Sequence, residues 1–125
     1  MILLDTNIFI EIYRNNTFIA AVVDNVPEIA ICDVVRAELY YGARNKRELQ
    51  EISADVEELT TLPVLPQISE MAVNFVKTYC LSHKLELADA LIAATAIHYN
   101  IKLYTLNLKD FVFIPNLKLY NPGIN

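Results

Sequence analysis

Apolar and polar positions alternate along the chain in a pattern that predicts short strands separated by helices. The apolar run at residues 2–4 ends in Asp5-Thr6-Asn7, which is typical of a buried strand that leads into a helix. Similar apolar runs predict strands at 28–33, at "LPVL" (62–65) and at 101–107, and a weaker fifth strand at "LKLYN" (117–121).

Helical spacing of apolar positions fills the intervals between these runs. Asp33 is expected to cap a helix that ends near Gly42 or Ala43, and "LKDF" (108–111) is expected to form a turn or a short helix. The other helices are predicted at about 7–13, 16–24, 46–59 and 87–98, and one more by the amphipathic spacing of Ile68, Met71, Ala72, Phe75, Val76 and Tyr79. Strands that alternate with helices define an α/β class, with a mainly parallel sheet of about four to five strands and helices on both faces.

Composition is consistent with one compact domain covering residues 1–125. Hydrophobic residues make up 54% of the chain and charged residues 20%, which excludes a disordered or fibrous protein. Cys32 and Cys80 lack metal-ligand spacing, so we expect two core thiols in a reducing compartment and no zinc. Neither a targeting segment nor a membrane-spanning run of about 20 apolar residues is visible, which predicts a cytoplasmic protein.

Three carboxylates stand in predominantly apolar surroundings. Asp5 follows the first strand, Glu38 lies on a largely apolar helix face, and Asp89 interrupts the apolar helix "ELADALIAATAI". An isolated buried carboxylate costs several kcal/mol unless it is paired, hydrogen-bonded or bound to a metal. No basic residue is placed to pair with these acids, so a shared Mg²⁺ or Mn²⁺ ion is the economical explanation.

Each of these residues also has an ordinary structural interpretation. Asp5 is a plausible helix N-cap, Asp89 a first-turn acid stabilised by the helix dipole, and Glu38 a solvent-facing side chain if the helix phase differs. Turn and capping roles are common for the residue types that follow the fourth strand, namely Thr105, Asn107 and Asp110.

Four blocks of sequence together carry a more specific signal. They are "MILLDTNIFIE", "VVRAELYYGA", "ELADALIAATAIHYN" and "LYTLNLKDFVFIPNLKLYNP". In order and spacing they resemble the motifs of PIN-domain ribonucleases over essentially the whole chain, and most of all the short VapC-type toxins of toxin–antitoxin pairs. The resemblance implies a three-layer α/β/α fold with a twisted sheet and an acidic pocket that holds one or two Mg²⁺ or Mn²⁺ ions.

The resemblance also implies roles for individual residues. Asp5, Glu38 and Asp89 match the three core acids, which act as metal ligands and catalytic groups in the hydrolysis of RNA phosphodiester bonds. Supporting positions are matched by Thr6, Asn7 and Thr105. Asn107 occupies the place of the family's variable fourth acid, so a second metal should bind more weakly, while Asp110 either substitutes for that acid or braces the turn.

Partners follow from the same resemblance: an RNA substrate, a cognate antitoxin and a second copy of the chain in a homodimer. Phosphate contacts are expected from Arg14, Arg36, Arg44, Lys46 and Arg47, although the "RNKR" group is equally typical of a solvated turn. A partner groove or the core would accommodate Phe9, Ile12, Tyr13, Tyr40 and Tyr41.

The formal charge of −5 argues against a broad basic surface for nucleic acid. It leaves room for a different class of function, a PIN-like module that binds protein or RNA with weak or no catalysis. A measurement of metal binding distinguishes the two classes, because a catalytic pocket should bind Mn²⁺ and an inert module need not. The sequence does not define which RNA is cut.

Overall fold

A computed structural model describes residues 1–123 as alternating strands and helices. The elements in chain order are β1 (Ile2–Leu4), α1 (Thr6–Tyr13), α2 (Thr17–Asp24), β2 (Ile29–Cys32), α3 (Asp33–Tyr41), α4 (Lys46–Glu57), β3 (Thr60–Leu62), α5 (Pro66–His83), α6 (Leu87–His98), β4 (Lys102–Tyr104) and a 3-10 helix (Leu108–Asp110). The predicted α/β class is confirmed.

The strands form one parallel sheet in the order β3-β2-β1-β4. The connections from β1 to β2 to β3 step in one direction, and the connection from β3 to β4 returns across the sheet. Because such crossovers are right-handed, the two directions place α1–α4 and α5–α6 on opposite faces, which makes three layers. The carboxyl ends of β1 and β4 lie at the switch point, where open α/β sheets bind ligands.

The core is built around β1, β4 and α6. Leu3, Leu4 and Leu103 on the two strands are fully buried, and α6 contributes a run of small or compact buried residues, Ala90, Ile92, Ala93, Ala94 and Ala96. The four alanines of this run let α6 approach both α5 and the sheet closely, because they have little side chain to separate the backbones. This packing fixes the first turn of α6, which carries Asp89, beside the carboxyl edge of the sheet.

The third strand lies earlier than predicted, at Thr60–Leu62 instead of 62–65. Pro63 ends the strand because proline has no N–H for the ladder. The N–H of Val64 donates instead to Asp33 Oδ2 at 3.2 Å. Asp33 is therefore the first residue of α3 and not its N-cap, which is Cys32.

The predicted fifth strand is wrong. Within residues 1–123 the segment makes one isolated parallel bridge, between Leu103 and Leu119, and no longer ladder. The expected core position of Cys80 is also wrong, because its place on α5 exposes the thiol, whereas Cys32 is buried as expected. None of the helices described here is long and apolar enough to span a membrane.

Candidate active site at the carboxyl edge of the sheet

Asp5 joins the end of β1 to the start of α1. Its backbone N–H donates to the carbonyl of Tyr104 at 3.0 Å, so the residue stays paired with β4 beyond the strand end. Its Oδ1 accepts the N–H of Thr6 at 2.8 Å and caps α1. The side chain is only 6% exposed. The capping role leaves Oδ2 turned toward the other polar groups of the site.

Thr105, which follows β4, connects these groups. Its hydroxyl donates to Asp5 Oδ2 at 2.8 Å and accepts from Asn7 Nδ2 at 3.3 Å and from the N–H of Asn107 at 3.1 Å. One donor and two acceptor positions are all that a threonine hydroxyl has. Asn7 closes the network by accepting the N–H of Leu106 at 3.2 Å. The ends of β1 and β4 are thereby held together by side chains as well as by the sheet.

Glu38 reaches the same place from α3. Its Oε1 accepts the hydroxyl proton of Thr6 at 2.6 Å, and the side chain is half-buried. Thr6 therefore holds two acids at once, Asp5 through its backbone N–H and Glu38 through its side chain.

Asp89 and Asp110 complete an acidic cluster. Burial, followed by the charges of Asp5, Asp110 and Glu38, raises the pKa of Asp89 from 3.8 to about 6. Burial also raises the pKa of Asp5 against the opposing hydrogen bonds from Thr105 and Thr6, and Glu38 and Asp110 add to the increase. Asp5 and Asp89 therefore both lie close enough to Glu38 and Asp110 to respond to their charges.

The two candidates for a fourth acidic position differ in the structure. Asn107 is exposed and contributes its backbone N–H to Thr105. Asp110, at the end of the 3-10 helix, acts electrostatically on both Asp5 and Asp89. The negative charge beside the core acids therefore comes from Asp110.

The donor chemistry of this cluster fits a hard divalent cation, since carboxylate oxygens are the preferred ligands of Mg²⁺. Among residues 1–123, no three His, Cys, Asp or Glu side chains converge on one ready-made ion position. Magnesium commonly uses only one or two protein carboxylates together with waters and substrate phosphates. The site suits that mode of binding better than an all-protein cage.

A groove of about 710 Å³ opens beside Thr6 and Glu38 and runs between α1, α3 and α4. Its lining combines apolar side chains with charged side chains of both signs: Ile10, Tyr13, Leu39 and Ile52, the acids Glu48, Glu51 and Asp55, and the bases Arg14 and Arg44. Tyr13 donates its hydroxyl proton to Asp55 at 3.1 Å across the groove. Sequence reasoning missed the row of acids formed by Glu48, Glu51 and Asp55. Their spacing, which places acids along one face of α4, indicated it.

Of the aromatic and apolar residues expected either in a groove or in the core, four lie in one of the two and Tyr41 lies in neither. Phe9 is buried, and Ile12 and Tyr40 are partly buried against the core. Tyr13 lines the groove, and Tyr41 is 86% exposed.

The predicted phosphate-binding arginines all form local ion pairs. Arg14 pairs with Glu11, Arg36 with Asp33, Arg44 with Glu48 and Arg47 with Glu51, at 3.4, 2.9, 2.7 and 3.1 Å. Each pair joins residues three or four positions apart, and Lys46 is exposed at the start of α4. This arrangement favours a solvated helix surface at "RNKR" over an RNA-binding site.

A three-layer parallel fold with acids at its switch point defines the class of PIN domains. The family model described as "PIN domain" matches residues 2–112. The chain belongs to this family, as the resemblance in the sequence predicted. PIN-domain ribonucleases are in general dependent on divalent metal ions.

Individual relatives are similar over nearly the whole chain. Ribonuclease VapC19 of Mycobacterium tuberculosis is 32% identical, with 94% of this chain and 98% of the relative covered. The structure of a toxin–antitoxin complex from Klebsiella pneumoniae contains a chain that is 29% identical, with a TM-score of 0.78 and coverage of 94% and 95%. VapBC2 from Rickettsia felis, bound to a promoter DNA fragment, gives 30% identity, a TM-score of 0.72 and coverage of 97% and 98%.

Proposed function

We propose that this protein is a metal-dependent endoribonuclease and the toxin of a toxin–antitoxin pair, with Asp5, Glu38 and Asp89 as its catalytic acids. The observation that carries the proposal is the buried carboxylate of Asp5, which shares the switch point of the sheet with three further acids. Similarity to a named ribonuclease and to toxin–antitoxin complexes supports the substrate class and the biological role.

Asp5 and Asp89 would hold Mg²⁺ or Mn²⁺, and Asp110 would add the fourth negative charge in place of Asn107. A bound ion of this kind lowers the pKa of a coordinated water and stabilises charge on the phosphate that is attacked. Glu38, held by the hydroxyl of Thr6, orients the attacking water and accepts its proton. Thr105 keeps Oδ2 of Asp5 in position and protects that carboxylate from rotation.

The groove gives the antitoxin a route to the acids. Thr6 and Glu38 are part of its lining, so a peptide lying between α1, α3 and α4 reaches the catalytic carboxylates. The apolar side chains of Ile10, Leu39 and Ile52 would receive the apolar face of an amphipathic partner segment. We further propose that residues 1–125 form one domain, that the protein pairs as a homodimer, and that it acts in the cytoplasm, where its RNA substrate lies.

The test is inducible expression of the wild type, Asp89→Asn and, as a matched control, Asp24→Asn, an exposed acid at the end of α2. We expect growth arrest and new RNA ends with the wild type and the control, and neither with Asp89→Asn. Purified protein should cleave RNA with added Mg²⁺ or Mn²⁺ and lose this activity in chelator. A wild-type protein that cuts no RNA under either condition contradicts the proposal and favours a binding module.

A further inference from the structure

A stacked aromatic pair lies where α5 ends. The imidazole of His83 lies over the ring of Phe113 with centroids 3.9 Å apart and ring planes 14° apart. Tyr79 meets Phe113 edge-on at 5.0 Å and supports the pair from one side. His83 is exposed whereas Phe113 is partly buried. The imidazole therefore rests on an aromatic base and contacts the hydroxyl of Ser82 at 2.7 Å, while His83 as a whole stays exposed to solvent.

The two chain segments that carry this pair lead within a few residues to two acids of the cluster, Asp89 and Asp110. Phe113 lies three residues after Asp110, which limits the separation of their Cα atoms to about 11 Å. Lys84, in the left-handed conformation at φ 54°, turns α5 toward α6. Its Cα lies within about 12 Å of that of Asp89, because two extended and three helical residues separate them. These limits keep the stacked pair at this corner within reach of the neighbouring nucleotides of a strand held at the acids.

The same corner carries cations that are not neutralised by direct pairing. All four ion pairs formed among residues 1–123 use arginine. The exposed side chains of Lys84 and Lys109 therefore make no direct contact with a carboxylate among the described residues. Lys109 directly precedes Asp110 on the 3-10 helix. An acidic protein thus keeps unpaired positive charge on both segments that flank the stacked pair.

We propose that His83, Lys84, Lys109 and Phe113, here called the stacking corner, bind single-stranded RNA next to the bond that is cleaved. A base stacks on the imidazole of His83, and the two lysines contact phosphates. Aromatic faces combined with free cations are the general means of binding single strands. The proposal rests on the proposed ribonuclease function and assigns the phosphate contacts to lysines instead of the paired arginines.

The lysine substitutions are made in the Asp89→Asn variant, so that RNA binding can be measured without cleavage of the RNA. The probe is a short single-stranded RNA of mixed sequence that contains 2-aminopurine. Lys84→Asn with Lys109→Gln should reduce the slope of log affinity against log salt by about 1.4, the value for two single-strand phosphate contacts. Asparagine suits the left-handed backbone at position 84. The matched control, Lys102→Gln with Lys118→Gln, removes the same charge away from the corner and should leave the slope unchanged.

The stack is tested separately. His83→Ala should weaken RNA binding roughly tenfold and abolish quenching of 2-aminopurine, and His83→Phe should restore both. The proposal would be overturned if the two pairs of lysine substitutions changed the salt slope equally, or if His83→Ala bound RNA as tightly as the Asp89→Asn protein. It would also be overturned if the Asp89→Asn protein bound no RNA. Loss of co-purification with co-expressed antitoxin, with RNA binding intact, would identify a protein interface instead. Efficient cleavage by corner variants refutes this inference alone, whereas an inactive wild type refutes the ribonuclease function.

Discussion

Asp89→Asn is expected to stabilise the metal-free protein at neutral pH while it removes the activity. Burial and neighbouring acids raise the pKa of Asp89 from 3.8 to about 6. At 1.36 kcal/mol for each pKa unit, ionisation in the folded state costs up to about 3 kcal/mol relative to the unfolded chain. Water screens this partly exposed carboxyl, so we expect a gain of roughly 1–2 kcal/mol in the unfolding free energy of the variant at pH 7.

The sign of the pH dependence follows from the raised pKa. Between about pH 4 and pH 6 the folded protein binds more protons at Asp89 than the unfolded chain does, so the unfolding free energy falls as pH rises through this interval. Above about pH 6 Asp89 is ionised in the folded protein, so the unfolding free energy is lowered by the full cost of this ionisation. The advantage of the asparagine variant should therefore be large at pH 7 and shrink toward zero below about pH 4.

Urea unfolding in chelator across this pH range measures the effect, with Asp24→Asn as the control for loss of one exposed acid. An Asp89→Asn protein that is no more stable than the wild type at pH 7, or whose advantage persists unchanged at low pH, would refute the reasoning. Added Mn²⁺ should reverse the order, because a ligand that binds the folded state stabilises it by RT ln(1 + [L]/Kd) and the wild type binds the ion more tightly than the variant.

Three further predictions concern the surroundings of this acid. Asp110→Asn should weaken Mn²⁺ binding in calorimetric titration more than Asn107→Ala, because only Asp110 brings charge to the cluster; equal effects would contradict this. Thr105→Val should lower the unfolding free energy by about 1–3 kcal/mol, since Asp5 loses its shortest side-chain hydrogen bond; unchanged urea unfolding would count against it. Phe111→Ala, at a fully buried position, should cost about 3–5 kcal/mol in thermal unfolding, and a loss below about 1 kcal/mol would show that Phe111 contributes little to the core.

The strands that were predicted correctly are those whose apolar residues are enclosed on both faces. β1, β2 and β4 read as apolar runs because helices cover them on each side. β3 is a short strand of two threonines and one leucine, with Thr60 exposed, so its composition differs little from that of a loop. The strand was predicted at the more apolar residues that follow, Val64 and Leu65, although Pro63 prevents them from extending the ladder.

The proximity of the acids was predictable from the cost of burying charge and from the resemblance to a family, whereas their catalytic roles stay a prediction. Their connections were not, because Thr6 bridging Asp5 and Glu38 depends on side-chain positions that no local pattern specifies. The stack of His83 on Phe113 likewise joins residues whose proximity arises only from the packing of α5 against the segment after β4.

The contact between Asp5 and Thr105 spans 100 residues of sequence. β1 is synthesised first and occupies the middle of the sheet, yet it must wait for β4, the last strand, before one of its two edges is paired. Loop-closure entropy makes such distant pairings late events in folding. For a ribonuclease made on ribosomes, this order of assembly means that a nascent chain lacks the joined Asp5–Thr105 site until β4 and Thr105 have been synthesised.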